Sequence, residues 1–124
     1  MNMPLNRVII FVGDVAKSAA FYRNVFGFTI TSGQPDSTDW IELDTGGCRL
    51  AFHKASGPDG PIDKPTGSAM NPHKICFYAE DVESARADIV SRGATMGPVR
   101  TFGPLVLCDG QDPEGHVFQL CNRR

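Results

Sequence analysis

Apolar and polar positions along this chain keep changing period. From Leu5 to Val12 nearly every residue is apolar, with Val8, Ile10 and Val12 on one side of an extended strand and Ile9 and Phe11 on the other. That pattern predicts a strand covered on both faces. From Val15 the period lengthens. Val15, Ala19, Tyr22 and Phe26 recur at helical spacing, Ser18, Phe21 and Val25 widen the stripe, and Lys17 and Arg23 look outward, so a helix is predicted over 15–26. Asp14 stands where an N-cap accepts from unpaired backbone N–H groups, and Gly27 where a helix closes. Short strands are then expected at 28–31, 40–43 and 48–53, with Gln34-Pro-Asp-Ser as a turn and Gly46-Gly47 as a hairpin turn.

The same order of elements returns. A strand is predicted at 74–79, a helix at 82–92 with Val82, Ala85 and Ile89 inward, and strands at 95–100, 105–108 and 117–121, the last preceded by a turn Asp109-Gly-Gln-Asp-Pro-Glu-Gly. Asp14 and Asp81 lie 81 − 14 = 67 positions apart, and at that offset Arg7, Val8, Ile10, Val15 and Ala20 meet Lys74, Ile75, Phe77, Val82 and Ala87. Asp44-Thr-Gly-Gly-Cys-Arg-Leu-Ala-Phe-His53 corresponds to Asp112-Pro-Glu-Gly-His-Val-Phe-Gln-Leu-Cys121 at 112 − 44 = 68. Two units too small to make a core alone are expected to bury faces together. Their helices are expected on one side of each sheet, with the other side curving around a pocket. Residues 55–71, rich in Gly and Pro, read as the linker between repeats at about 1–54 and 72–124. The alternative for that linker is a lid over a ligand site.

Composition narrows the function classes. With 124 residues, 41% of them hydrophobic, the chain has one domain's length and material for a core. Its net charge of −2 leaves no basic face beyond Arg123-Arg124, which argues against nucleic acid as a partner. No apolar run reaches membrane-spanning length and the N-terminal residues carry no apolar signal core, so a cytoplasmic protein without membrane contact is expected. Cys48, Cys76, Cys108 and Cys121 form no close pairs and read as reduced thiols.

The motifs Val12-Gly-Asp-Val…Ser18…Phe21-Tyr…Val25-Phe-Gly-Phe and Asp112-Pro-Glu-Gly-His…Gln-Leu, in a doubled chain, resemble the vicinal oxygen chelate superfamily of glyoxalases, bleomycin-resistance proteins and ring-cleaving dioxygenases. The resemblance implies an α+β fold of two βαβββ modules, with curved mixed sheets around a cavity, assembled as a homodimer. It also implies where a divalent cation would be held: one residue from the first and last strand of each module, here Arg7, Ala51, Lys74 and Gln119. Arg and Lys offer donors and positive charge, Ala offers nothing, and Gln offers one neutral carbonyl, so no metal and no cofactor are expected.

Strand alternation places Arg7, Ile9 and Phe11 with Lys74, Cys76 and Tyr78 on the cavity face, and Ala51 and His53 with Gln119 and Cys121. Arg7 and Lys74 either bind an anionic group as fixed charges or simply reach solvent from strand starts. His53 is either a general base or a strand-end histidine bonded to the linker. A metal site shifted onto His53, His73 and His116 is a further alternative. Trp40 and Glu42 share a face of the third strand, Trp40 as a stacking surface or ordinary packing, Glu42 as a carboxylate partner to a basic residue. Phe11, Tyr78 and Gln119 complete the candidate ligand-binding set, and neither Cys76 nor Cys121 is assigned a nucleophilic role. Two functions follow. One is a metal-independent cavity for a small anionic or aromatic molecule. The other is a glyoxalase-like lyase, isomerase or dioxygenase using the shifted site, or acid–base chemistry by His53 and Glu42.

Overall fold

The structure is a computed structural model, and it describes residues 2–55 and 73–124. Apart from Ala55, the expected linker lies outside the described residues. The chain divides into two compact units, residues 1–63 and 64–124.

The first unit runs β1 (Arg7–Val12), α1 (Val15–Phe26), β2 (Thr29–Ser32), β3 (Trp40–Asp44) and β4 (Arg49–Lys54). Its sheet has the order β1-β4-β3-β2, with β1 parallel to β4 and the other pairs antiparallel. Asp14 caps α1 by accepting from the Lys17 N–H at 3.0 Å, and Gly27 ends it in the left-handed conformation, donating to the Arg23 carbonyl. The buried stripe Val15, Ala19, Tyr22 and Val25 covers one sheet face, where Tyr22 stacks on Phe52 at 5.4 Å. The expectation of a doubly covered first strand is corrected. β1 ends its sheet, Ile10 and Val12 are buried, and Ile9 and Phe11 are 43% and 48% exposed. One helix covers one face, so a strand apolar on both sides keeps its second side open.

The second unit runs β5 (Ile75–Tyr78), α2 (Val82–Ser91), β6 (Thr95–Met96), β7 (Arg100–Phe102), β8 (Leu105–Gln111) and β9 (Val117–Cys121). The sheet order is β5-β9-β8-β6, with β7 also pairing β8 and only β5–β9 parallel. Asp81 repeats the cap, accepting from the Ser84 N–H at 3.0 Å. Val82 and Ile89 are buried on α2, and Cys108, Phe118 and Leu120 on the sheet.

Two expectations fail here. The strand at 95–100 is two strands, because Gly97-Pro98 interrupts it and proline has no N–H for a ladder. The stretch 109–115 is not all turn, because β8 continues through Gln111. The turn is confined to the residues after it, where the Asp112 carboxylate accepts from the Glu114 and His116 N–H groups at 2.9 and 3.0 Å. Both modules are thus mixed sheets carrying one helix, an α+β architecture. Among the described residues no helix is long and apolar enough to cross a membrane.

Candidate functional site

In the first module the sheet face away from α1 collects most of the expected side chains. The register sets Arg7 beside Arg49, Phe11 beside His53, His53 beside Trp40 and Ala51 beside Glu42. Residues directly opposite on neighbouring strands share a face. The Arg7 Nε–H donates to Glu42, the Thr31 hydroxyl donates to the other Glu42 oxygen at 2.9 Å, and an Arg49 guanidinium nitrogen lies 3.8 Å away. Glu42 is buried, at 5% exposure. Burial pushes its carboxyl pKa up, but the hydrogen bonds from Arg7 and Thr31 and the charges of Arg7 and Arg49 outweigh this and hold it below 4.5. A carboxylate held this way is a charge partner and a poor proton acceptor.

Aromatic rings continue the face. The Arg7 guanidinium sits 5.9 Å from the Trp40 ring centre. His53 meets Trp40 edge-on at 5.9 Å and Phe11 edge-on at 5.5 Å. His53 Nδ1 lies 2.9 Å from the Lys54 carbonyl. A carbonyl only accepts, so Nδ1 carries the hydrogen, and in the neutral ring Nε2 holds the lone pair.

The second module builds a related cluster around Asp109, on the middle strand β8. Lys74 Nζ lies 3.2 Å from the Asp109 carboxylate, Arg100 Nη2 donates to it at 3.3 Å and Gln119 Nε2 at 3.0 Å. The Gln119 carbonyl accepts from the Cys76 thiol at 3.8 Å. Burial, with Cys121 and Asp109 nearby, raises the Cys76 pKa above 9.0 against the opposing charge of Lys74, so the thiol stays protonated near neutral pH. Beside this cluster opens a cavity of about 310 Å³. Phe77, Tyr78, Leu105 and Leu107 give it apolar walls, and Cys76, Cys121, Gln119 and Arg123 supply its heteroatoms.

Thus Arg7, Phe11, Trp40, Glu42 and His53 meet in one module, and Lys74, Tyr78 and Gln119 stand in the other. At the four positions the resemblance assigns to a cation, Arg7 and Lys74 carry their own positive charge onto Glu42 and Asp109, Ala51 is fully buried, and Gln119 has both ends of its amide engaged. That set does not fit a divalent cation. Among the described residues no three His, Cys, Asp or Glu side chains, the three histidines included, are grouped to hold a metal ion.

Asp109, Arg49, Arg100 and Arg123 carry no role in the sequence reading. Asp109 had a signal: 109 − 42 = 67 is the offset of the repeat, so Glu42 points to it. The turn-like run Asp109-Gly-Gln concealed that match.

Residues 5–120 match a family model described as the Glyoxalase/Bleomycin resistance protein/Dioxygenase superfamily. Mitochondrial methylmalonyl-CoA epimerase of Homo sapiens is 28% identical over an alignment of 92 positions that covers 68% of this chain and 51% of that protein. The chain therefore spans about half the length of this curated relative. A glyoxalase/bleomycin resistance protein/dioxygenase from Nocardioides superposes with a TM-score of 0.77 at 16% identity, covering 98% of this chain and 83% of that one. Lactoylglutathione lyase from Agrobacterium tumefaciens does so with a TM-score of 0.72 at 19% identity, covering 97% and 93%. At these identities the structural likeness is one of fold.

Proposed function

The chain belongs to the glyoxalase/bleomycin resistance protein/dioxygenase superfamily, and from that premise we propose that it binds a small anionic or aromatic molecule without a resident metal ion. The observation that carries this reading is the pairing of Arg7 with Glu42 and of Lys74 with Asp109. Each pair puts a protein cation where metal-using relatives place a ligand to theirs, and supplies the balancing carboxylate from the next strand but one in the sheet. The walls that remain are rings, aliphatic groups and thiols, with Arg123 at the cavity. This combination suits an apolar body carrying few polar groups. Assembly as a homodimer in the cytoplasm is part of the same proposal; the exposed Ile9 and Phe11 are surface that a second copy would cover.

A second reading is an acid–base enzyme, favoured by one feature, the Nε2 lone pair of His53 between Trp40 and Phe11. In that reading His53 would take a proton from a substrate carbon or hydroxyl, and the positive charge of Arg7 would steady the developing oxyanion. Glu42, with its lowered pKa, would fix Arg7 and leave proton transfer to His53. His53→Asn would then abolish lyase, isomerase or epimerase turnover while leaving ligand binding in place.

The test of the binding reading is elemental. Purified, tag-free protein is incubated with manganese, iron, cobalt, nickel and zinc ions, freed of unbound metal and analysed for retained metal. Retention far below stoichiometric is expected. Stoichiometric retention that survives washing would refute a metal-free site.

A further inference from the structure

Taking the second module's cavity as the ligand site, a premise that rests on the reading above, we infer that it selects a flat aromatic molecule bearing one acidic group, and that Arg123 recognises the acid. Volume comes first. About 310 Å³ lies at the small end of ligand pockets, which run from roughly 300 to 1,000 Å³. A two-ring body is near the upper limit of what fits. Phe77, Tyr78, Leu105 and Leu107 offer that body rings and aliphatic surface.

The polar inventory then decides the head group. Gln119 donates one amide hydrogen to Asp109 and accepts from Cys76. Lys74 and Arg100 are both drawn onto Asp109, and neither lines the cavity. Cys76 is a neutral thiol. Among the described residues Arg123 is the one lining residue with a charged side chain, and no acidic residue lines the cavity with it. Its backbone N–H donates to Cys121 Sγ at 3.4 Å, which ties the start of that side chain to the cavity wall. The Arg124 guanidinium lies 4.7 Å over the Tyr78 ring, so a second positive charge flanks the same wall. A guanidinium fork beside an apolar pocket is complementary to a carboxylate or sulfonate on a ring. It also repels cationic ligands of the same size.

Two fluorescent probes of two rings separate the head group from the body: naphthalene-2-sulfonate, and naphthalene, which has the same rings without the sulfonate. Both are titrated into the full chain, into Arg123→Met and Arg123→Lys, and into Leu107→Trp and Leu105→Trp, which fill the cavity from two positions. Arg123→Met is expected to weaken the sulfonate probe roughly tenfold, the effect of one charge-assisted contact, and to leave the neutral probe within about twofold. Arg123→Lys should recover part of the loss, because charge remains and the fork does not. Loss of both probes in the cavity-filled variants locates them in this pocket. If Arg123→Met leaves the sulfonate probe unchanged, or weakens both probes alike, the assignment to Arg123 is overturned while the cavity stands. If neither cavity-filled variant affects either probe, or if neither probe binds the unaltered chain, both the assignment and the premise beneath it fall.

Discussion

Replacing Arg7 by Met removes one charge and keeps an aliphatic stem of similar reach, so it isolates what the cation does for Glu42. Glu42 is 5% exposed, and a buried carboxylate that loses its partner keeps the desolvation cost without the compensation. Removing one member of a fully buried pair costs about 3–5 kcal/mol. Here the loss is smaller. The Arg7 side chain is 36% exposed, Thr31 still donates at 2.9 Å and Arg49 remains at 3.8 Å, so water and these neighbours replace part of the interaction. A cost of roughly 1–2 kcal/mol follows, near the lower range for hydrogen bonds to charged groups. With a urea slope of about 2 kcal/mol/M, the unfolding midpoint should fall by roughly 0.5–1 M. The single tryptophan, Trp40, lies on this face beside Arg7, so its fluorescence follows the affected module.

The double variant Arg7→Met, Glu42→Met should recover most of the stability, because two apolar groups need no charge partner. The pH dependence supplies an independent sign. The folded-state pKa of Glu42 is lowered below 4.5, so its contribution is fully present above about 4.5 and is lost as pH falls through the folded value. The gap between the natural chain and Arg7→Met should therefore be widest near neutral pH and close in acid. An Arg7→Met midpoint equal to that of the natural chain at neutral pH, or a double variant no more stable than the single one, would refute the reasoning.

Two further outcomes follow from local geometry. The raised pKa of Cys76, caused first by burial and then by Cys121 and Asp109, predicts that its alkylation rate keeps climbing as pH passes 9.0; a plateau below that value, measured by mass spectrometry of the labelled peptide, would contradict it. Gly110→Ala would place a Cβ 2.3 Å from Met96 Sδ and 2.7 Å from Phe118 Cζ, so a loss of roughly 1–3 kcal/mol is expected from denaturant unfolding, and an unchanged midpoint would show that the β6–β8–β9 packing yields freely.

The helices were legible because their signals are local. Apolar period, an Asp cap and a closing glycine lie within one short stretch, and α1 begins and ends where they place it. The middle strands of the second module were less legible because their signals are tertiary. Asp109-Gly-Gln has the composition of a turn, yet Gly110 is in β8 because Met96 and Phe118 fill the space a side chain would take, and Asp109 is there because Lys74, Arg100 and Gln119 converge on it. None of these partners is adjacent in sequence. Long-range packing therefore overrode turn propensity, and the misplaced turn removed from view the acid that faces Lys74. The repeat preserves what local propensity obscures: a cation at the start of the first strand or just before it, Arg7 or Lys74, and an acid 67 positions apart in the two copies, Glu42 or Asp109. Neither half of such a pair is interpretable alone. A strand-start cation reads as solvent-facing until the acid that neutralises it is placed two strands away on the same sheet face, and the acid reads as turn or surface until the cation is placed beside it.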